Sequence, residues 1–341
     1  MSDSDSNSSS GTVRVHHGPF RNAAVGDLII ETFDGDRFHV SKSIMAVASV
    51  YFAHRYPPPT STSPTLPSKK TRTVVSEDST LWEKVITLIY SSLEEPIPIA
   101  AFGALLEATK KYRMAGVANV LGQMLLRADL MDTEPLRVYA LASGFGFPDA
   151  ARIAARRMLR LPAGLEYTSE LQYTSAVAYH RLVEYRRRCV EVIRPLLHWE
   201  VLKNPKRVHD ELGLEYRVEV ACPSWITTDL EELMLCRGRM KSPEGAIFVS
   251  FRETELCGIE YVTGVYAHPA WREAMEELEK ASQLVPDVTP CFSPTFLEPL
   301  MKASGNTLNG PAGLVANAHT FTVALDKQIS QAIAKVVLET D

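Results

Sequence analysis

A chain of 341 residues with 45% hydrophobic and 23% charged side chains has the make-up of a globular protein of two or three domains. Its 36 basic and 41 acidic side chains nearly balance, at a formal charge of -5, so neither bulk electrostatic binding to nucleic acid nor a nucleic-acid partner is expected. No apolar run approaches the ~20 residues of a membrane-spanning helix, so no membrane partner is expected either. The five cysteines, Cys189, Cys222, Cys236, Cys257 and Cys291, include no C-x-x-C pair, and the chain opens with polar MSDSDSNSSS. Free thiols in a reducing setting, cytoplasmic or nuclear, are the expectation.

Residues 1–24 begin with a Ser/Asp/Asn run too polar to bury a core and are read as a disordered tail. Leu28 to Phe33 and Asp36 to Val40 are two β-prone runs on either side of Asp34-Gly35. They predict a hairpin, because Gly accepts the positive φ of a tight turn. Ser41 is placed to cap a helix in which Ile44, Val47, Ala48, Tyr51 and Phe52 form one apolar stripe, stopped by Pro57-Pro58-Pro59. Residues 57–72, PPPTSTSPTLPSKKTR, read as a disordered insertion. Within it Ser63 and Thr65 are candidate sites for a proline-directed kinase, with Lys69, Lys70 and Arg72 near enough to meet the phosphate; an inert insertion is the other reading. Thr73–Val75 predicts a short strand. Thr80 and Glu83 fit a capping box before Trp82, Val85, Ile86 and Ile89. Next comes a helix with Phe102, Leu105, Ala108 and Tyr112 on one side. Gly116 marks a break, and a second helix carries Val117, Val120, Leu121, Met124, Leu125 and Ala128.

This order of elements, with Gly26-Asp27 opening the first strand and FHVSKSIMAVASVYF over Phe38–Phe52, resembles the BTB/POZ domain. The family reads there roughly as Phe-x-Ala-His-Lys-x-Val-Leu-Ala-x-x-Ser-x-Tyr-Phe. Phe38, Lys42, Ile44, Met45, Ala46, Ser49, Tyr51 and Phe52 satisfy it identically or by similar residues. LWEKVITLIYSS is similar to the family's helix ending in Tyr-Thr-Gly, and LLEATKKYRMAGV to its Leu-Leu-x-Ala-Ala-x-Lys-Tyr-x-Met motif. The resemblance implies an α+β fold over residues 25–130, a three-stranded sheet with helix hairpins. It also implies an interaction protein, a scaffold or adaptor whose partner is itself or another BTB protein. Asp27 and Lys42 match the acidic and basic members of a charged pocket at the family's dimer interface. The other reading is that Asp27 merely starts the strand while Lys42 is solvated at a helix N-terminus. A second functional reading is a substrate adaptor that binds a cullin of a ubiquitin ligase. The chain departs from the family in having Ser41 for the usual His and an enlarged, proline-rich loop. It also has no periodic helix candidate in 1–25 for swapped dimerisation, and no hydrophobic-x-Glu motif in 57–72 for cullin recruitment.

Residues 131–200 are similar to the helical extensions of BTB proteins from mushroom-forming fungi. Ala151, Ala155, Met158 and Pro162 share one helical face, and Leu182, Tyr185 and Cys189 another. Residues 201–341 are read as a mixed, mostly helical C-terminal region. Strands are expected at Glu215–Cys222 and Ala246–Phe251, and a helix over 270–284. A closing helix over Thr320–Val337 carries Phe321, Leu325, Ile329 and Ile333, and Ser304–Gly313 is expected to be loop.

No motif carries a cofactor. Gly144-Phe145-Gly146 lacks the preceding strand and third glycine of a dinucleotide site and reads as a helix end. Cys222, Cys236 and Cys257 are too far apart for paired zinc ligands, and His209, His268 and His319 contribute only if the fold converges them. Arg152, Arg156, Arg157 and Arg160, with Arg181, Arg186, Arg187, Arg188 and Arg194, either form a basic patch or, with Glu184 and Glu191, a salt-bridged solvated face. No catalytic, cofactor-binding or metal residues are assigned and no enzyme is expected. A cryptic cysteine enzyme using Cys222, Cys236 or Cys257 is the remote alternative.

Overall fold

A computed structural model describes residues 20, 26–57, 70–90, 96–162, 166–198, 200–201, 207–209, 215–217, 220–221, 247–256, 259–267, 269–303 and 310–340. The fold is mixed α+β and mostly helical, with a small three-stranded mixed sheet near the N-terminus. Two compact units divide the chain: Met1–Ala151 with Thr168–Thr174, and Arg152–Tyr167 with Ser175–Asp341. The division falls inside the stretch read from the sequence as a helical extension. The expected disordered tail and most of the 57–72 insertion, Ser63 and Thr65 included, lie outside the described residues.

The first unit opens with the hairpin that Asp34-Gly35 predicts. Strand β1 (Leu28–Glu31) pairs antiparallel with β2 (Arg37–Val40), Leu28 opposite Val40 and Glu31 opposite Arg37. Gly35 takes φ +83° in the turn. Alternation sends Leu28, Ile30, Phe38 and Val40 into the core. Gly26, at φ +102°, lies so close to β2 that an added Cβ would sit 2.7 Å from the Val40 carbonyl oxygen. Strand β3 (Thr71–Val74) joins the other edge of β1 in parallel, giving the order β2-β1-β3.

The helix predicted after Ser41 is in fact two, α1 (Lys42–Ala48) and α2 (Val50–Arg55). Ser49 separates them with an extended backbone, φ -144°. Its hydroxyl donates to the Tyr112 carbonyl at 2.5 Å and accepts from the Phe52 N–H at 3.2 Å, so it caps α2 while leashed to a distant turn. The single apolar stripe therefore does not form. Met45 and Phe52 go inward, while Ile44, Val47 and Tyr51 stay at the surface.

Helices α3 (Ser79–Tyr90), α4 (Ile99–Lys111) and α5 (Ala115–Leu125) follow and pack on one another. The Thr80–Glu83 capping box is absent, because α3 starts earlier and Thr80 lies within it. The Asp78 carboxylate accepts from the Leu81 N–H at 2.8 Å, and the Asp34 carboxylate from the Ser79 N–H at 3.1 Å. Phe102, Leu105, Ala108 and Tyr112 are buried as their spacing predicts. The break before α5 lies at Arg113, φ +51°, and not at Gly116, which is inside α5. In α5, Val117, Leu121 and Leu125 are buried, but Val120 faces out and Ala128 begins a further helix, α6 (Ala128–Thr133).

Phe52, Trp82 and Tyr112 form the aromatic centre. Phe52 and Tyr112 stack at 5.9 Å, and Trp82 stands edge-on to them at 6.3 and 5.1 Å. Beside the rings, the Glu77 carboxylate accepts from the Tyr112 hydroxyl at 2.7 Å, the Lys111 ammonium at 2.6 Å and the Trp82 indole N–H at 3.3 Å. Burial pushes the Glu77 carboxyl up, yet the bonds from Lys111 first and Tyr112 next hold it below the usual value. The unit is completed by α7 (Pro135–Phe145), which packs against a 3-10 turn at Ser169–Tyr173. Arg137 pairs there with the buried Glu170 at 2.6 Å.

The second unit takes the end of α8 (Pro148–Met158), then α9 (Ala176–Leu197). Ala155 and Met158 are buried and Pro162 is not. Leu182, Tyr185, Cys189, Ile193 and Leu197 make one buried stripe of α9. Short strands β4 (Glu200–Val201), β5 (Arg207–His209), β6 (Glu215–Arg217) and β7 (Val220–Ala221) precede the long antiparallel pair β8 (Ile247–Leu256) and β9 (Ile259–Ala267). Helices α10 (Pro269–Leu284), α11 (Pro294–Ala303) and α12 (Gly310–Ala334) follow. Phe321, Leu325, Ile329 and Ile333 are all buried, as expected. Residues 310–313, expected as loop, open α12 instead. Arg186 donates to the carbonyls of Met158, Leu161 and Leu284, a cation set on the ends of α8 and α10.

Two measurements test this account of the first unit. Phe52→Ala should cost about 3–5 kcal/mol of urea-unfolding stability, the usual cost of removing a buried aromatic. Around Asp34, burial acts to raise the carboxyl pKa, but the Ser79 and Thr32 hydroxyls and the Ser79 N–H bring it from 3.8 down to about 2. A carboxyl depressed on folding contributes stability above its unfolded value that is lost as pH falls towards about 2. Asp34→Asn should therefore lose less stability than the parent between pH 5 and pH 2; equal losses would exclude the assignment.

Candidate interaction surface

Asp27 and Lys42 meet, but through the lysine's backbone. The Asp27 carboxylate accepts from the Lys42 N–H at 2.8 Å, satisfying one of the amides that every helix leaves unpaired in its first turn. Ser41 holds the N-cap position without a capping bond of its own, its hydroxyl facing that of Ser43 at 2.8 Å. Its backbone N–H donates to the Tyr90 hydroxyl at 2.7 Å, which ties the start of α1 to the end of α3. Burial raises the Tyr90 hydroxyl above its usual range, so it stays a neutral acceptor at that position. Both ends of α1 are thus pinned, one by Asp27 and Tyr90, the other by the Ser49 break.

What this pinning presents outward is apolar. Val47 is 91% exposed, Val50 48%, Ile44 40% and Tyr51 36%. Ile44 and Val47 lie three residues apart on one face of α1, and Val50 begins α2 immediately after the Ser49 break. Isolated surface hydrophobics are ordinary, but a run of them on one short helix pair is the kind of patch that protein contacts use. The periodicity of 44–52 pointed to Ile44, Val47 and Tyr51 as core; the Ser49 break leaves them at the surface, and nothing local in the sequence announces that.

Elsewhere the sequence candidates resolve into structure. Gly146 takes φ +78° at the end of α7, where its N–H donates to the Ala142 carbonyl, so Gly144-Phe145-Gly146 is a helix terminus. The arginines of α9 pair along the helix: Arg187 with Glu184 at 2.6 Å and with Glu191, and Arg188 with Glu184 at 3.1 Å. Arg160 pairs with the buried Asp287 at 3.2 Å. Cys189 and Cys291 are buried free thiols. Burial pushes them up to about 11 and about 12, which leaves both protonated and unreactive near neutrality. Cys222, Cys236, Cys257 and His268 lie outside the described residues, as do the side chains around His209; His319 is exposed on α12. Among the described residues, no three His, Cys, Asp or Glu side chains gather to hold a metal ion. No described helix is long and apolar enough to cross a membrane.

No protein-family model matches this chain, and no curated protein matches it.

The Asp27 contact separates two roles. If the carboxylate serves the helix amide, Asp27→Ala should cost about 1 kcal/mol of unfolding free energy, the worth of a lost cap. Lys42→Ala should stay within about 0.5 kcal/mol, as for an ordinary surface change. Equal losses in urea titrations would mean that the ammonium, not the amide, is the partner.

Proposed function

We propose that the first unit is a BTB/POZ-like protein-interaction module that associates with a second copy of this chain or with another protein of that kind. The observation that carries the reading is the exposed apolar face of α1 and α2, with Val47 at its centre. Support comes also from the order of elements: an antiparallel hairpin, two short helices, a strand returning parallel to β1, then α3 and the α4–α5 pair. This is the arrangement the motif resemblance implies. The face is set on helices whose ends are fastened by side-chain hydrogen bonds, so it is held ready for a partner without reordering.

Association would bury Val47 and Ile44, and an unpaired charge at the centre of such a contact is strongly unfavourable. Sedimentation velocity of the full chain should show reversible self-association at micromolar concentration. Val47→Asp should weaken it by at least about tenfold. At concentrations where the parent is monomeric the melting temperature should be unchanged, because Val47 is almost fully exposed within the chain. A parent chain that stays monomeric and captures no partner in proximity labelling would overturn the reading. Undiminished association of Val47→Asp would remove this face from it.

A further inference from the structure

The end of α4, the start of α5 and the end of α7 enclose a groove of about 430 Å³ in the first unit. Its floor is apolar, built from Leu106, Met114, Phe145 and Phe147, with Val50 on one wall. Two charged side chains stand on the lip, Lys110 and Arg113, both exposed. Neither makes an ion pair among the described residues, and no carboxylate lines the groove. The contrast with Lys111 is informative, since that neighbouring cation is committed to Glu77 at 2.6 Å. Lys110, one residue earlier on the helix, stands between this groove and a second one that Glu77, Glu107 and Lys111 line.

The placement of Arg113 is set by the backbone. It takes the left-handed conformation that turns the chain from α4 into α5, and its carbonyl accepts from the Val50 N–H at 3.2 Å. A glycine would suit that conformation better. What arginine adds is a guanidinium at the mouth of an apolar slot, able to fork onto a carboxylate. Lys110 and Arg113 are the charged residues of its lining, and with no carboxylate there the groove is electrostatically complementary to an anion. The apolar floor asks the same ligand for a hydrophobic side chain. A nucleic acid meets only part of this, because two cations in a chain of net charge -5 are too few for a phosphate backbone.

We propose that this groove binds a short acidic peptide segment of a partner protein. One Leu, Ile, Phe or Trp side chain rests on the floor, and flanking Asp or Glu carboxylates pair with Lys110 and Arg113. The proposal does not depend on self-association through Val47, and the two can fail separately.

The test pans the full chain against a random-peptide phage library at low salt, then measures the enriched sequence by fluorescence polarisation. Enriched peptides should combine one large apolar residue with at least two carboxylates close by. The double variant Lys110→Glu/Arg113→Glu should weaken binding about 10–100-fold with unchanged circular dichroism, and added salt should weaken the parent complex. Ala118→Trp, which fills the groove from α5, should abolish binding, while Val47→Asp should leave it intact. The idea is overturned by no enrichment, by peptides without carboxylates, or by binding indifferent to the double variant. It is equally overturned if the double variant loses self-association instead, which would make the groove a contact between copies, or if an oligonucleotide displaces the peptide from the parent as an equal ligand.

Discussion

The first unit depends on how Glu77 is satisfied. Its carboxylate lies against Trp82 and Tyr112, where a bare negative charge would be costly, and three donors from two helices converge on it. Hydrogen bonds to a charged acceptor are each worth about 1.5–3 kcal/mol, enough together to offset the partial burial of the charge. Because the donors come from α3 and from the end of α4, the carboxylate fixes the approach of those helices. The Glu77 carbonyl also accepts from the Phe33 N–H at 3.0 Å, which brings in the hairpin turn. One residue therefore connects the sheet edge, α3 and α4.

The geometry at the end of α4 follows from that. With Lys111 and Tyr112 drawn to Glu77, the chain leaves the helix through the left-handed Arg113, and the Tyr112 and Arg113 carbonyls meet the start of α2. Tyr112 takes the Ser49 hydroxyl and Arg113 the Val50 N–H. These two bonds hold the break between α1 and α2. Without the break, Ile44, Val47 and Tyr51 would continue one stripe with Phe52 and compete with it for the core. The exposed apolar face is thus a consequence of polar bonds elsewhere, and Phe52 is free to stack on Tyr112 because its neighbours have been turned away.

Whether a feature could be read from the sequence depended on how local its cause was. The hairpin needs only alternation and Asp34-Gly35, and the buried faces of α4, α9 and α12 need only three-four spacing; each was legible. The Ser49 break was not, since the partner that fixes it is 63 residues away. The start of α3 was misplaced partly for the same reason: Thr80 and Glu83 offered a local box, but Asp78, two residues before Thr80, caps the Leu81 amide, and Asp34, 45 residues away, takes the Ser79 amide. At Gly116 the sequence offered the residue most suited to a turn, yet the turn went to Arg113. The anchoring of Lys111 and Tyr112 outweighed a backbone preference of about 1–2 kcal/mol. The Asp27 and Lys42 pair was visible only as two charges. That the bond uses the lysine's amide is a matter of helix geometry that charge pattern does not encode.

This separation of causes bears on how the surface acts. The groups that fix α1 and α2 are polar and turned inward, while the exposed apolar side chains, Val47 above all, make almost no contact within the chain. A surface built this way can change its side chains without disturbing the fold, because its positions are set by Asp27, Ser49 and Tyr90 and not by its own packing. The groove at Arg113 is arranged alike: its cations are exposed, and their placement rests on Lys111 and Tyr112 behind them. Preorganisation is then a property of the interior, and the proposed contacts a property of a few exposed side chains, which is the division the proposed interaction role would require to take different partners on one frame.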